Sequence, residues 1–336
     1  MTWSPGRRSG RTRARAGFLA LAALAALSTL ATSPLLLGCA PPKVKGKAAA
    51  VAGKDPAQLW TEPQDLASRD LFHGPGGHSK TPGKGATYRV VGFDTTGHSR
   101  GYEVKDAQGR EWRVKIGDEA QSEVVTSRIL WAIGYHQPVI HYLEDWKMTE
   151  GRPQDEPAPA RFRLESDHKN AGTWSWGKDN PFHGTRAFRG LIVVNLVLNN
   201  WDFGPDQNRV YLMTDGESPE VRYVVQDVGA SLGKSRWPIG TRNNLEDFES
   251  EGFVKRVDGE RVVFDYKSWH RVMVKDITVD DVVWTCDLLS RLSDAQLRDA
   301  FRAADYRTEA TDRYLRKIKE KVREGLALRT RAEVSR

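Results

Sequence analysis

Residues 221–233 read Val221-Arg222-Tyr223-Val224-Val225-Gln226-Asp227-Val228-Gly229-Ala230-Ser231-Leu232-Gly233. The β-branched and aromatic run Val221 to Gln226 predicts a strand, and Gly229 predicts a turn after it. An aspartate at a strand end before a glycine turn is placed to hold Mg²⁺ against phosphate oxygens. Asp227 also fits a plain turn aspartate followed by a glycine at positive φ. The choice between the two depends on what lies upstream.

Two further features precede it. Thr185 to Asn199 is a strongly apolar helix, and it runs into Asn199-Asn200-Trp201-Asp202, with Asn208 in the same loop. A carboxylate there can orient or deprotonate a hydroxyl, and an amide can ligate a metal. Earlier still, Val114-Lys115-Ile116 places one lysine in an apolar strand after a glycine-punctuated hairpin. A lysine aimed into a cleft neutralises phosphate oxygens; a solvated strand lysine is the plainer reading. The amphipathic helix over 118–133 offers Glu119 and Glu123, an i,i+4 pair, as partners for it. Glu123, deeper in the helix, is the preferred one. Asp202-Phe203-Gly204 copies a D-F-G triplet, but it follows a helix, whereas Asp227-Val228-Gly229 follows a strand.

In this order the residues resemble the protein-kinase-like superfamily, in its atypical HipA-type, lipid-kinase and secretory-kinase branches. The resemblance spans about residues 86–230. It implies an α+β, two-lobed fold with a strand-rich N-lobe and a helix-rich C-lobe. It also implies Mg²⁺ and ATP as cofactors and phosphoryl (or nucleotidyl) transfer to an acceptor. Lys115 would contact phosphate and pair with Glu123 or Glu119. Asp202 would act as base, and Asn208 and Asp227 would bind metal. The glycine-rich loop would be Thr95 to Gly101, with Thr96, Gly97 and Ser99 at the nucleotide. The chain departs from the family pattern in three places. Gln207 stands five residues after Asp202, where the family has Asn. Gly204 stands where it has Lys, and the 95–101 loop has few glycines. These departures keep open a second reading, a noncatalytic kinase-like envelope protein that binds a protein or glycan. The run from Gly134 to Gly233 also resembles a group of bacterial proteins, a likeness that carries no function.

The start of the chain predicts export. Residues 1–15 hold five arginines and no acid, and an apolar run follows from Gly17 to Leu30. Leu36-Leu37-Gly38-Cys39 then resembles a bacterial lipobox, which implies acylation of Cys39 and attachment to an envelope membrane. An uncleaved anchor is the competing reading, against which Pro34 interrupts the apolar stretch. The predicted parts are a signal peptide over 1–38, a lipidated tether over 39–83, an N-lobe over 84–145 and a C-lobe over 146–336.

Charge then excludes one partner class. The chain holds 51 Lys+Arg and 44 Asp+Glu. Loss of the five leader arginines leaves 46 against 44, a net charge of +2 on 298 residues. That balance does not suit a nucleic-acid partner. With Cys39 acylated, Cys286 is left as a buried core thiol. His98, His136, His141 and His183 are scattered across separate elements, and neither H-x-x-x-H nor G-x-S-x-G occurs. Ser293 and Gln296 predict a capping box, and three C-terminal helices are predicted over 279–289, 293–304 and 308–326.

Overall fold

The alternation in Glu111–Ile116 organises the N-terminal half. Trp112 and Val114 are buried on one face of this strand, and Arg113 and Lys115 point to the other, as a period of two requires. The strand belongs to a six-stranded sheet in a computed structural model, which describes residues 55–94, 100–152, 157–177, 179–213, 219–235, 240–268 and 270–330. The strands are β1 (Thr87–Asp94), β2 (Gly101–Lys105), β3 (Glu111–Ile116), β4 (Ile140–Leu143), β5 (Lys147–Thr149) and β6 (Ala160–Leu164). Their order is β4-β6-β3-β2-β1-β5, antiparallel except for the β1–β5 pair. Strand β6 therefore lies inside this sheet, between β4 and β3. The strand-rich part runs to Leu164, past the boundary at residue 146 read from the sequence.

One sheet face closes over its own core. Tyr88, Tyr102, Trp112, Trp146 and Phe162 are buried there, with Trp146 and Phe162 edge to face at 5.1 Å. Helix α1 (Glu119–Ala132) follows β3 and crosses under the sheet. Its apolar residues Val124, Val125, Ile129 and Leu130 belong to the second, larger core, which the C-terminal helices build.

The rest of the chain is helical around a small sheet. Strands β7 (His168–Trp174), β8 (Asn208–Met213) and β9 (Glu220–Val224) form an antiparallel sheet in that order. Helix α2 (Arg186–Val197) lies between β7 and β8 in sequence. Helix α3 (Leu245–Ser250) and the hairpin β10 (Val254–Asp258) to β11 (Arg261–Phe264) come next. Helices α4 (Val279–Ser290), α5 (Asp294–Arg302) and α6 (Thr308–Leu326) complete the fold. Thr185 caps α2 by accepting from the Phe188 amide, and reciprocal capping boxes start α4 and α5. A β-carbon at Gly190 in α2 would collide with the Trp284 ring of α4, so glycine sets how closely these helices approach. Cys286 is buried, and burial pushes its thiol pKa up to about 12. The α+β order expected from the sequence, strands first and helices after, is the order observed. Among the described residues no helix is long and apolar enough to cross a membrane.

The segment from Asp55 to Gly83 differs from the predicted tether. It forms four short 3₁₀ turns that strap the larger core, with Leu59, Leu66 and Leu71 buried in it. Trp60 donates to the Ile133 carbonyl at 2.7 Å and meets Trp284 at 5.1 Å, and Gln296 donates to the Leu66 carbonyl at 2.8 Å. Irregularly spaced leucines bury without producing a helical or strand period, which is why the sequence showed no element there. Cys39 and the leader lie outside the described residues.

Candidate functional site

Lys115 is carried on β3, opposite Arg161 of β6, and both side chains leave the sheet on the face away from its aromatic core. A cavity of about 530 Å³ opens there, bounded below by the Asp202 loop and the Asp227 turn. The Lys115 ammonium lies 2.6 Å from Asp227 Oδ1 and 2.7 Å from Glu119 Oε1. Asp202 and Gln207 line the same cavity.

The Asp227 turn is fixed from α1. Ser122 Oγ donates to the Gly229 carbonyl at 2.6 Å, and the Thr126 and Ser231 hydroxyls meet at 2.7 Å. A β-carbon on Gly229 would stand 2.7 Å from Glu119 Cβ, so the close approach of turn and helix needs glycine. Asp227 itself has φ +57°, a left-handed conformation that aspartate tolerates better than most residues.

The Asp202 loop is clamped as firmly. Asn199, at φ +54°, donates to the Gly233 carbonyl at 2.7 Å and accepts from the buried Lys321 ammonium at 2.5 Å. Asn200 accepts from the Asp202 amide at 3.2 Å and donates to Asn195 at 2.8 Å. Trp201 N–H reaches the Ala230 carbonyl at 3.2 Å, which ties this loop to the turn after Asp227.

These contacts separate the ionisation states. Burial lowers the Lys115 pKa, but the carboxylates of Glu123, Asp227 and Glu119 outweigh it and hold the ammonium above its ordinary value. Burial raises Asp227, yet Lys115, Arg161 and Arg163 bring it below the usual carboxylate range. Glu119 is likewise lowered, burial being overcome by Lys115. Asp202 goes the other way. Burial raises it against a hydrogen bond with Gln207, and the nearby Asp227 charge raises it further. Two carboxylates in one cleft with opposite shifts are the arrangement in which one stays an anion while the other exchanges a proton.

Two sequence expectations change. Glu123, the preferred lysine partner, forms its ion pair with Arg161 at 3.2 Å and acts on Lys115 through space; the direct contact is Glu119. One helical turn separates the two acids, and the first turn of α1 is what faces the end of β3. Asn208, expected as a metal ligand, begins β8 fully buried, and its Oδ1 accepts from the Gln226 amide at 3.1 Å. Gln207 faces the cleft in its place, its Oε1 accepting from the Gly204 amide at 2.9 Å. Thr96, Gly97 and Ser99 lie outside the described residues; Gly101, where β2 begins, lines the cavity.

Sequence reading passed over Arg161, Arg163, Arg209 and Arg242, all of which line the cleft. Arg161-Phe162-Arg163 on a strand places both guanidiniums on one face, a signal available once β6 is paired with β3. Arg163 donates to Gln226 Oε1 at 2.9 Å, and Arg242 to Glu119 Oε2 at 2.9 Å.

The cleft offers carboxylate and amide oxygens from Asp227, Asp202 and Gln207. Hard oxygen donors few in number suit Mg²⁺, which keeps waters and phosphate oxygens as its other ligands. Among the described residues no group of three or more His, Cys, Asp or Glu side chains converges as a metal cage.

No family model and no curated protein matches this chain. Among solved structures, the crystal structure of a Helicobacter pylori proinflammatory kinase, CtkA, is similar with a TM-score of 0.36 and 9% identity. That likeness covers 72% of this chain and 97% of the other. At that score it assigns no role to any residue here.

Proposed function

We propose that this cleft binds a magnesium-loaded nucleoside triphosphate and transfers its terminal phosphoryl group to an acceptor hydroxyl. The observation that carries the reading is the contact of Lys115 with both Asp227 and Glu119 in the cleft that Asp202 lines. Lys115 would neutralise phosphate oxygens, and Glu119 would hold it in place. Asp227 with Gln207 would hold Mg²⁺, which supplies charge neutralisation at the phosphates. Asp202 would take the acceptor's proton as the acceptor oxygen bonds to phosphorus and the bridging P–O bond to the nucleoside diphosphate breaks. A raised pKa suits that task, since a base must hold the proton it receives.

A second reading is a binding protein without transfer activity. The withdrawal of Asn208 and the glycine at position 204 favour it. Calorimetry with ATP and Mg²⁺, followed by a test for nucleoside diphosphate release, separates the two. Heat with release supports transfer, and heat without release supports binding alone. No heat, with ATP or with ADP, removes the kinase reading. Attachment to an envelope membrane through Cys39 belongs to the same proposal and rests on the sequence alone.

A further inference from the structure

The wall of the cleft has an unusual composition for a site that reads a nucleobase. Small-molecule sites are mostly apolar, with a few placed polar groups. Among the described residues only Val114 and Pro205 supply apolar side chains to the cavity, and no aromatic ring lines it. The sheet face that walls the cavity is cationic instead. β3 and β6 pair so that Lys115 stands opposite Arg161, and Arg113 opposite Arg163. Arg209 and Arg242 enter from other elements.

Which donors face the cavity follows from where the acids sit. Arg113, Arg161 and Arg163 pair with Glu103, Glu123 and Glu165, none of which lines the cavity. Among the described residues that line it, six side chains are cationic and four are carboxylates, and Arg113, Arg161 and Arg163 turn to the cavity the donors that their glutamates leave over. Arg161 is 3% exposed, and its Nε meets Glu123 Oε1 at 3.2 Å as an ion pair without an aligned hydrogen bond; the Nε of the half-buried Arg113 has no hydrogen-bond acceptor among the described residues. Arg209 makes no ion pair among the described residues and donates to the carbonyls of Asp206, Gln207 and Asn208 at 2.6–3.2 Å. Burying guanidiniums without completing their hydrogen bonds is costly, and an anion with several oxygens would complete them.

We infer that the cleft recognises its ligand through the polyphosphate chain and not through a base. A non-nucleoside polyphosphate is then as good a ligand as a nucleoside triphosphate. This inference rests on the proposed polyphosphate role of the same site.

The test is isothermal titration calorimetry on the full chain with Mg²⁺-tripolyphosphate, Mg²⁺-ATP and adenosine. The expected result is that the two polyphosphates bind within about fivefold of each other and that adenosine gives no heat and does not compete. Arg161→Gln with Arg163→Gln should weaken both by about tenfold or more. Arg209→Gln, outside the six-stranded sheet, should weaken both in parallel and guards against misfolding of the buried pair of changes. Mg²⁺-ATP binding more than about fivefold tighter than tripolyphosphate, or adenosine competing, overturns the inference while leaving the kinase reading intact. Absence of binding by either polyphosphate overturns both.

Discussion

The ammonium of Lys115 and the carboxylate of Asp227, 112 positions apart in the chain, meet at 2.6 Å. Neither is supported by its own strand alone: Glu119 shares the lysine, and α1 holds the turn that carries the aspartate. Lys115→Met should therefore lower Mg²⁺-polyphosphate affinity by about tenfold or more, read by calorimetry. Glu119→Gln should weaken the same binding with little change in melting temperature. Glu123→Gln should do the reverse, because it strands a buried Arg161; loss of one partner in such a pair costs about 3–5 kcal/mol. Equal effects of the two glutamine variants on binding would contradict the geometry.

Asp202 should titrate above the ordinary carboxylate value of 3.8, since burial and then the Asp227 charge favour its protonated form. Asp227→Asn removes that charge, so the Asp202 pKa should fall. Carboxyl carbon chemical shifts followed through acid pH by NMR read it directly. A midpoint unmoved by Asp227→Asn would mean that the two groups do not sense each other.

Gln207 and Asn208, adjacent in sequence, should fail differently. Gln207→Ala alters a side chain in the cleft and should reduce Mg²⁺-dependent binding at unchanged stability. Asn208→Ala leaves the buried Gln226 amide without its acceptor, a loss of about 1–3 kcal/mol in denaturant unfolding. Stability losses of similar size in both variants would count against the placement of these residues.

Lys321 is fully buried at the back of the Asp202 loop, and burial lowers its pKa from 10.5 to about 7. Below about pH 7 both folded and unfolded chains hold this proton. Between there and 10.5 only the unfolded chain does, so unfolding takes up a proton and stability rises with pH. Urea midpoints should increase from about pH 6.5 to about pH 9, with a smaller increase in Lys321→Met. Parallel pH profiles for the two proteins would exclude a buried ammonium.

Cys39→Ser should abolish labelling by an alkyne-tagged fatty acid in bacteria that express the chain, and should move the protein from the membrane to the soluble fraction. Labelling that survives the change would refute the lipobox reading.

The strands and long helices were legible because their apolar residues follow periods of two and 3.6; Val279–Ser290 and Thr308–Leu326 lie within about a residue of their predicted bounds. The candidate acids and the lysine were legible because a strand end or a loop after a helix restricts what a charged residue can do. Three things were not. The choice of Glu119 over Glu123 depends on where the helix axis falls relative to β3, which the i,i+4 spacing leaves open. The inward turn of Asn208 depends on strand β8 starting at that residue. The role of Arg161 and Arg163 required knowing that β6 lies beside β3, a long-range pairing across about 45 residues that no local pattern encodes.

Helix α1 holds to its two neighbours by different forces. Its apolar side chains are rooted in the larger core, where Ile140 of β4 is the fully buried contribution from the sheet, while its other links to that sheet are polar: Glu119 to Lys115, Glu123 to Arg161, and Arg128 Nη2 to the Ile140 carbonyl at 2.7 Å. Dispersion and hydration bind one side, and charge binds the other. A hinge in this molecule would accordingly run between helix and sheet, with the sheet rocking over a stationary helix. Because these pairs are buried, dissolved salt screens them little, and a charged ligand entering the cleft is what would compete with them.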